Sequence, residues 1–182
     1  MGMTTFVPNS DRNEPADAPV VAMNSDLNDI SVADLINASR CAEVIDAMRD
    51  FYAETDRLIA VHQPQCANRG LCCRFGEFGH RLYVTSLEVA YYLSGHPVPP
   101  VVEDDICPHA YDAACHARDH RPMGCRIFYC DPAAASWQGP LTEERLATLR
   151  TLHEKLNVPY IYADWMTFLK ALRAHATSYL TS

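Results

Sequence analysis

Seven of the chain's eight cysteines lie between Cys66 and Cys130, and only Cys41 falls outside that stretch. The run reads Cys66, Cys72-Cys73, Cys107, Cys115, Cys125 and Cys130, with Gly70, Pro108, Pro122 and Gly124 set among the thiols. Thiols gathered this densely serve as metal ligands or as disulfide partners. The surrounding sequence argues for metal. A chain of 182 residues, 48% of them hydrophobic, can bury a core without covalent staples. The opening residues lack the basic-then-apolar pattern of a secretory signal, and no apolar run nears the roughly 18 residues of a membrane span. These features predict a cytoplasmic protein, a compartment where thiols stay reduced. Disulfides would require an export route that the sequence does not announce.

Net charge is -8, and the excess is N-terminal: residues 1 to 60 carry 11 acids against 4 bases, whereas residues 61 to 130 carry 7 against 6. No basic stripe exists, so the finger-like cysteines do not predict a nucleic-acid binder. All six bases of the central segment are arginines: Arg69, Arg74, Arg81, Arg118, Arg121 and Arg126. Several thiolates around a metal leave surplus negative charge, which guanidiniums and backbone N–H groups offset. The plainer alternative is that most of these arginines are solvated.

Along the chain, residues 1–28 hold three prolines, four asparagines and no periodic apolar pattern, which predicts a flexible tail before a domain over 29–182. From Ser31, apolar residues recur at three- and four-residue steps, predicting one amphipathic helix over 32–61 that buries Cys41 as a small hydrophobe. Pro64 stops it. Gly70 supplies a positive φ that lets Cys66 and the Cys72-Cys73 pair approach one centre, although adjacent cysteines tend to point apart. Leu82-Tyr83-Val84 reads as a strand, and Thr85 with Glu88 as the capping box of a helix that Gly95 ends. That assignment explains Glu88 without a catalytic role. Residues 96–106 read as an exposed connection. Two helices close the chain, one capped by Thr142 and ending near Asn157, the other capped by Asp164, with Tyr160-Ile161-Tyr162 as a short strand between them. The fold class is therefore mainly α, with a small α+β character possible and a cysteine-rich irregular centre. Residues 62–80 and 96–140 offer few periodic apolar positions, so ligand bonds are expected to supply much of their order.

Spacing does not name the metal. Structural zinc favours pairs at C-x2-4-C, which only Cys125 and Cys130 satisfy. A binuclear zinc centre with one bridging thiolate would use all seven thiols, whereas a four-iron cluster would use four and leave three. His109, His116 and His120 lie between the cysteines as possible substitutes. His153 and His175 read as core or surface residues.

Taken together, Cys66-x3-Gly70-x-Cys72-Cys73, Val84-Thr85-Ser86-x-Glu88, Cys107-Pro108, Cys115 and Arg121-Pro122-x-x-Cys125-Arg126-x-Phe128-x-Cys130 closely resemble the YkgJ-type cysteine-cluster family, a zinc- or iron-chelating domain. The resemblance covers residues 62–165. It implies a metal-binding domain with Cys66, Cys72, Cys73, Cys107, Cys115, Cys125 and Cys130 as ligands, and an iron-sulfur cluster or zinc as cofactor. Some members are called iron-sulfur oxidoreductases by analogy, and flagellin lysine methylases carry a similar cluster.

Two functions compete on these grounds. One is a metal-cluster protein, iron-sulfur in kind, used in electron transfer with a redox partner or as an accessory to a modification reaction. The other is a structural zinc module presenting a surface to a protein partner. Methyl transfer rests on the resemblance alone, and no G-x-G-x-x-G nucleotide loop supports it. Neither nucleic acid nor membrane is an expected partner.

Overall fold

The computed structural model describes residues 31–66, 70–103, 106–112 and 114–180. The predicted tail therefore lies outside the described residues, as does Arg69. Among the described residues 63% are helix and 7% strand, so the mainly α expectation holds.

The predicted N-terminal helix is two helices, α1 (Val32–Ala38) and α2 (Ala42–Ala60). Ser31 caps α1 in a reciprocal box with Asp34, as its position suggested. The break follows from polar residues that bond their own backbone: Ser39 Oγ donates to the Ile36 carbonyl, and the Arg40 and Cys41 N–H groups turn back onto Asn37 and Ala38. Cys41 takes an extended backbone as the N-cap residue of α2, and it is exposed rather than buried. The break also serves packing. Leu35 of α1 joins one apolar cluster with Val84, Trp165 and Phe168, whereas Val44, Met48 and Phe51 of α2 join a second with Leu87, Ile127 and Leu149.

Between these clusters runs α4 (Ser86–Gly95), which follows the strand β1 (Tyr83–Thr85). It is buried on nearly every side, giving Val89 and Tyr92 to the first cluster and Leu87, Ala90 and Tyr91 to the second. Thr85 and Glu88 form the predicted capping box. Gly95 is the last residue of the helix, but not through a left-handed backbone: a Cβ there would collide with the His120 imidazole. The connection after α4 is not a free loop. Tyr92 Oη donates to the Pro97 carbonyl, and Val98 and Val102 pack on the first cluster.

The helix α6 (Ala135–Leu156) begins eight residues earlier than a Thr142 cap would place it and carries Pro140 inside. Asp131 provides the start, accepting from the Ala133 N–H of a 3-10 turn at Pro132–Ala134. Thr142 is interior, its hydroxyl donating to the Gln138 carbonyl. Asn157 ends α6 in the left-handed conformation. The following strand β4 is Tyr162–Asp164 rather than Tyr160–Tyr162, because its register is fixed by antiparallel pairing with β1, Tyr83 opposite Asp164. Asp164 then caps α7 (Trp165–Leu180) by accepting from the Thr167 N–H.

Leu149 is fully buried where α6 meets the second cluster. Leu149→Ala is expected to cost about 2–5 kcal/mol, the range for a cavity in a packed core. Urea denaturation checks this, and a cost under about 1 kcal/mol would mean that α6 is not packed as described.

Candidate metal centre

The first thiols sit on a tight turn. Gly70 has φ 68°, and a 3-10 turn over Leu71–Cys73 follows. A Cβ at Gly70 would meet nothing within 4 Å, so the backbone conformation, not space, calls for glycine. Adjacent cysteines would be expected to diverge, yet the Cys72 and Cys73 sulfurs lie 4.0 Å apart. His80 Nε2 donates to the Cys72 carbonyl at 3.1 Å and steadies the turn from behind.

The second segment docks on the first through one backbone bond: the Cys107 N–H donates to the Cys73 carbonyl at 2.8 Å. The hairpin of β2 (Ala110–Tyr111) and β3 (Ala114–Cys115) then folds back, placing Cys115 opposite Ala110, whose N–H donates to the Cys107 carbonyl. The third segment enters after Arg121-Pro122 as the short helix α5 (Met123–Ile127), with Cys125 in its single full turn. A Cβ on Gly124 would strike the Leu82 side chain, so glycine lets α5 approach β1.

The electrostatics show which thiols share one neighbourhood. Cys72 and Cys107 both act on Cys73 and Cys125, and Cys115 acts on Cys107 and Cys125. The Cys73 thiol donates to Cys72 and pulls it down to about 6, with Arg121 and His80 adding to the effect, while Cys73 itself, holding the proton, is driven up. Burial pushes Cys107 up to about 11, opposed first by the His109 backbone and then by the Trp165 side chain. Cys125 is likewise raised, first by burial and then by its neighbouring thiols. Several desolvated thiols side by side resist ionising unless a positive charge joins them. Arg121 is one such charge, and its Nε is buried without a hydrogen-bond acceptor among the described residues.

Five thiols are thus gathered: Cys72, Cys73, Cys107, Cys115 and Cys125. Cys66 and Cys130 are exposed at the two ends of the cysteine region, Cys66 before residues 67–69 outside the described set and Cys130 ahead of α6. Among the described residues no three His, Cys, Asp or Glu side chains converge closely enough to hold one ion as placed. The substitutes His109, His116 and His120 are engaged elsewhere. His109 Nε2 lies 2.8 Å from Tyr92 Oη, His116 stacks on Tyr111, and His120 stacks on Tyr91. Of the arginines, Arg126 turns inward to Asp56 and the Tyr52 ring, Arg74 pairs with Glu77, and Arg81 reaches Asp164. The donor set is entirely sulfur, which suits zinc or iron-sulfur chemistry rather than a hard cation.

Residues outside the cysteine spacing complete the site. Glu88 is 1% exposed, and besides closing its capping box it accepts from the Met123 N–H at 2.8 Å, two residues before Cys125. Burial raises its pKa, with the hydrogen bonds from Thr85 and Met123 opposing. The capping-box reading was right but covered only one of its two oxygens. Trp165 reaches Cys107 from a helix more than fifty positions later in the chain, a relation that only the tertiary fold creates.

A scan against protein-family models finds no match, and neither curated proteins nor solved structures yield one.

Glu88→Ala strands the N–H groups of Thr85 and Met123, and each buried donor left unpaired costs roughly 1–3 kcal/mol. The expected outcome is lower stability in urea together with weakened metal retention, whereas Glu88→Gln, which keeps one acceptor, falls between. Unchanged metal retention in Glu88→Ala would show that α5 is positioned by other contacts.

Proposed function

We propose that this chain is a metal-cluster-binding protein of the YkgJ type, whose thiolates hold an iron-sulfur centre used in electron transfer or as an accessory to a modification reaction in a reducing, cytoplasmic setting. The observation that carries this reading is the 4.0 Å separation of the Cys72 and Cys73 sulfurs beside Cys107, Cys115 and Cys125. Two sulfurs about 2.3 Å from one tetrahedral metal stand roughly 3.8 Å apart, so the pair suits a single shared metal. A two-iron cluster held by four cysteines takes two thiolates per iron, whereas a four-iron cluster takes one, so the two-iron kind is the better fit. Such a cluster, when bound, would supply one-electron redox chemistry. The Trp165 indole N–H on Cys107 is the type of hydrogen bond that tunes a cluster's potential. All eight cysteines are free, which agrees with a reducing compartment, and no helix among the described residues is long and apolar enough to cross a membrane.

The chain's own residues have separable tasks in this reading. Cys72, Cys73 and Cys107 come from two segments tied by a backbone bond, Cys125 comes from α5, which the Glu88 carboxylate holds, and these four would hold the metal. Cys115 flanks them on its hairpin. Cys66 and Cys130 join from the exposed ends of the region. Arg121 offsets thiolate charge.

The same sulfur pair also suits a single zinc ion, which makes a structural zinc module serving a protein partner the second reading.

Anaerobic purification with metal and acid-labile sulfide analysis separates the two, since iron with sulfide and visible charge-transfer absorption belong to the first and colourless zinc to the second. Serine is a harder, poorly ionised ligand, so Cys72→Ser, Cys73→Ser, Cys107→Ser and Cys125→Ser are each expected to lower bound metal or make it labile. Cys41→Ser is expected to change nothing. Metal lost in Cys41→Ser and kept in two or more of the others would refute the assignment.

A further inference from the structure

The last turns of α6 and the loop after it line an open groove of about 440 Å³ that the thiol centre does not use. Arg150, His153, Glu154 and Asn157 line it from one face of the helix, at spacings of three, four and seven residues, and Tyr160 lines it from the loop. His153 is 2% exposed and forms the floor. Its Nδ1 is 2.9 Å from the Val158 carbonyl, which can only accept, so Nδ1 carries the ring proton. Burial lowers the imidazole pKa, with the Val158 and Pro159 backbone pulling the other way, so the ring is neutral and Nε2 presents a lone pair. That lone pair is buried and has no donor among the described residues. A buried acceptor without a partner is uncommon and costly, and the neutral tautomer specifies what it lacks: an N–H or O–H group.

The walls narrow the choice. Arg150 offers a guanidinium and Glu154 a carboxylate, and neither belongs to an ion pair among the described residues. One cation, one anion and one neutral acceptor do not match a simple anion or a simple amine. The helix C-terminus adds partial negative charge, which favours a cationic donor on the His153 side. The Tyr160 ring stands edge-on to the imidazole with centroids 5.0 Å apart, and the Arg150 guanidinium lies 5.6 Å from that ring. Aromatic surface and positive charge are therefore neighbours.

We propose that this groove binds a zwitterionic amino acid with an apolar or aromatic side chain: its ammonium donates to His153 Nε2 beside the Glu154 carboxylate, its carboxylate meets Arg150, and its side chain lies against Tyr160. Access to Nε2 requires Tyr160 to turn outward, which its exposed position on the loop permits. The site is independent of the identity of the metal.

The test uses the full-length, metal-loaded protein and L-phenylalanine as probe, with phenethylamine and hydrocinnamate as the analogues lacking one charge each. Calorimetry is expected to show saturable binding of L-phenylalanine, at least roughly tenfold tighter than either analogue. The His153 Nε2 resonance in nitrogen-15 NMR is expected to shift on binding. Arg150→Gln, an exposed substitution that leaves the fold intact by circular dichroism, is expected to abolish the advantage of L-phenylalanine over phenethylamine while leaving metal content unchanged. No saturable binding, equal affinity for the three compounds, or binding without movement of the His153 resonance would each overturn the proposal.

Discussion

The Glu88 carboxylate stands where three elements meet, and the geometry of the thiol region depends on it. One oxygen closes the cap of α4 through the Thr85 N–H and hydroxyl, and the other receives the Met123 N–H at the start of α5, with the Tyr52 hydroxyl of α2 close by. A carboxylate so deeply buried is costly unless its lone pairs are used, and here both oxygens are occupied. The consequence reaches Cys125. A helix as short as α5 has little stability of its own, so its direction is set by what holds its first N–H group. Arg126, buried in the same short helix, adds a second anchor through Asp56 and the Tyr52 ring.

The thiols pose the opposite electrostatic problem. They are drawn together by the Cys107 N–H on the Cys73 carbonyl and by the β2–β3 hairpin, and their proximity raises the cost of ionising them. Cys72, relieved by its neighbour's proton and by Arg121, is shifted towards the thiolate. A metal cation at the centre of the group would offset the charge on sulfur, and a thiolate so held could serve as the acceptor that Arg121 Nε needs. A backbone bond between Cys107 and Cys73 and the Glu88 contact with Met123 bring these segments together. Phe75, Ala117, Met123 and Ile127 bury apolar surface from within the cysteine region, although their spacing shows no period.

How much of this was legible in the sequence depended on the range of the interaction. The Ser31 cap, the Thr85 box, the Asn157 terminus, the Asp164 cap and the Gly70 turn are decided within a few residues, and the sequence announces them. The break at Ser39–Cys41 was hidden because the apolar period continues across it, with α1 and α2 serving different clusters. The start of α6 was misplaced because Thr142 offers a cap signal while Asp131 and a tolerated Pro140 settle the matter. At the site, the residue types were clear from spacing, but the contacts of Glu88 with Met123, Arg121 with the thiols and Trp165 with Cys107 join positions far apart in the chain. No local pattern encodes them.

In the proposed function Cys72 and Cys73 share one metal within an all-sulfur shell. X-ray absorption at the edge of the metal that copurifies reads that shell. The expected result is a first shell of sulfur alone near about 2.3 Å, about four per metal, falling in Cys72→Ser and Cys73→Ser alike. A shell dominated by nitrogen or oxygen, or one unchanged when either of these two cysteines is replaced, would contradict it.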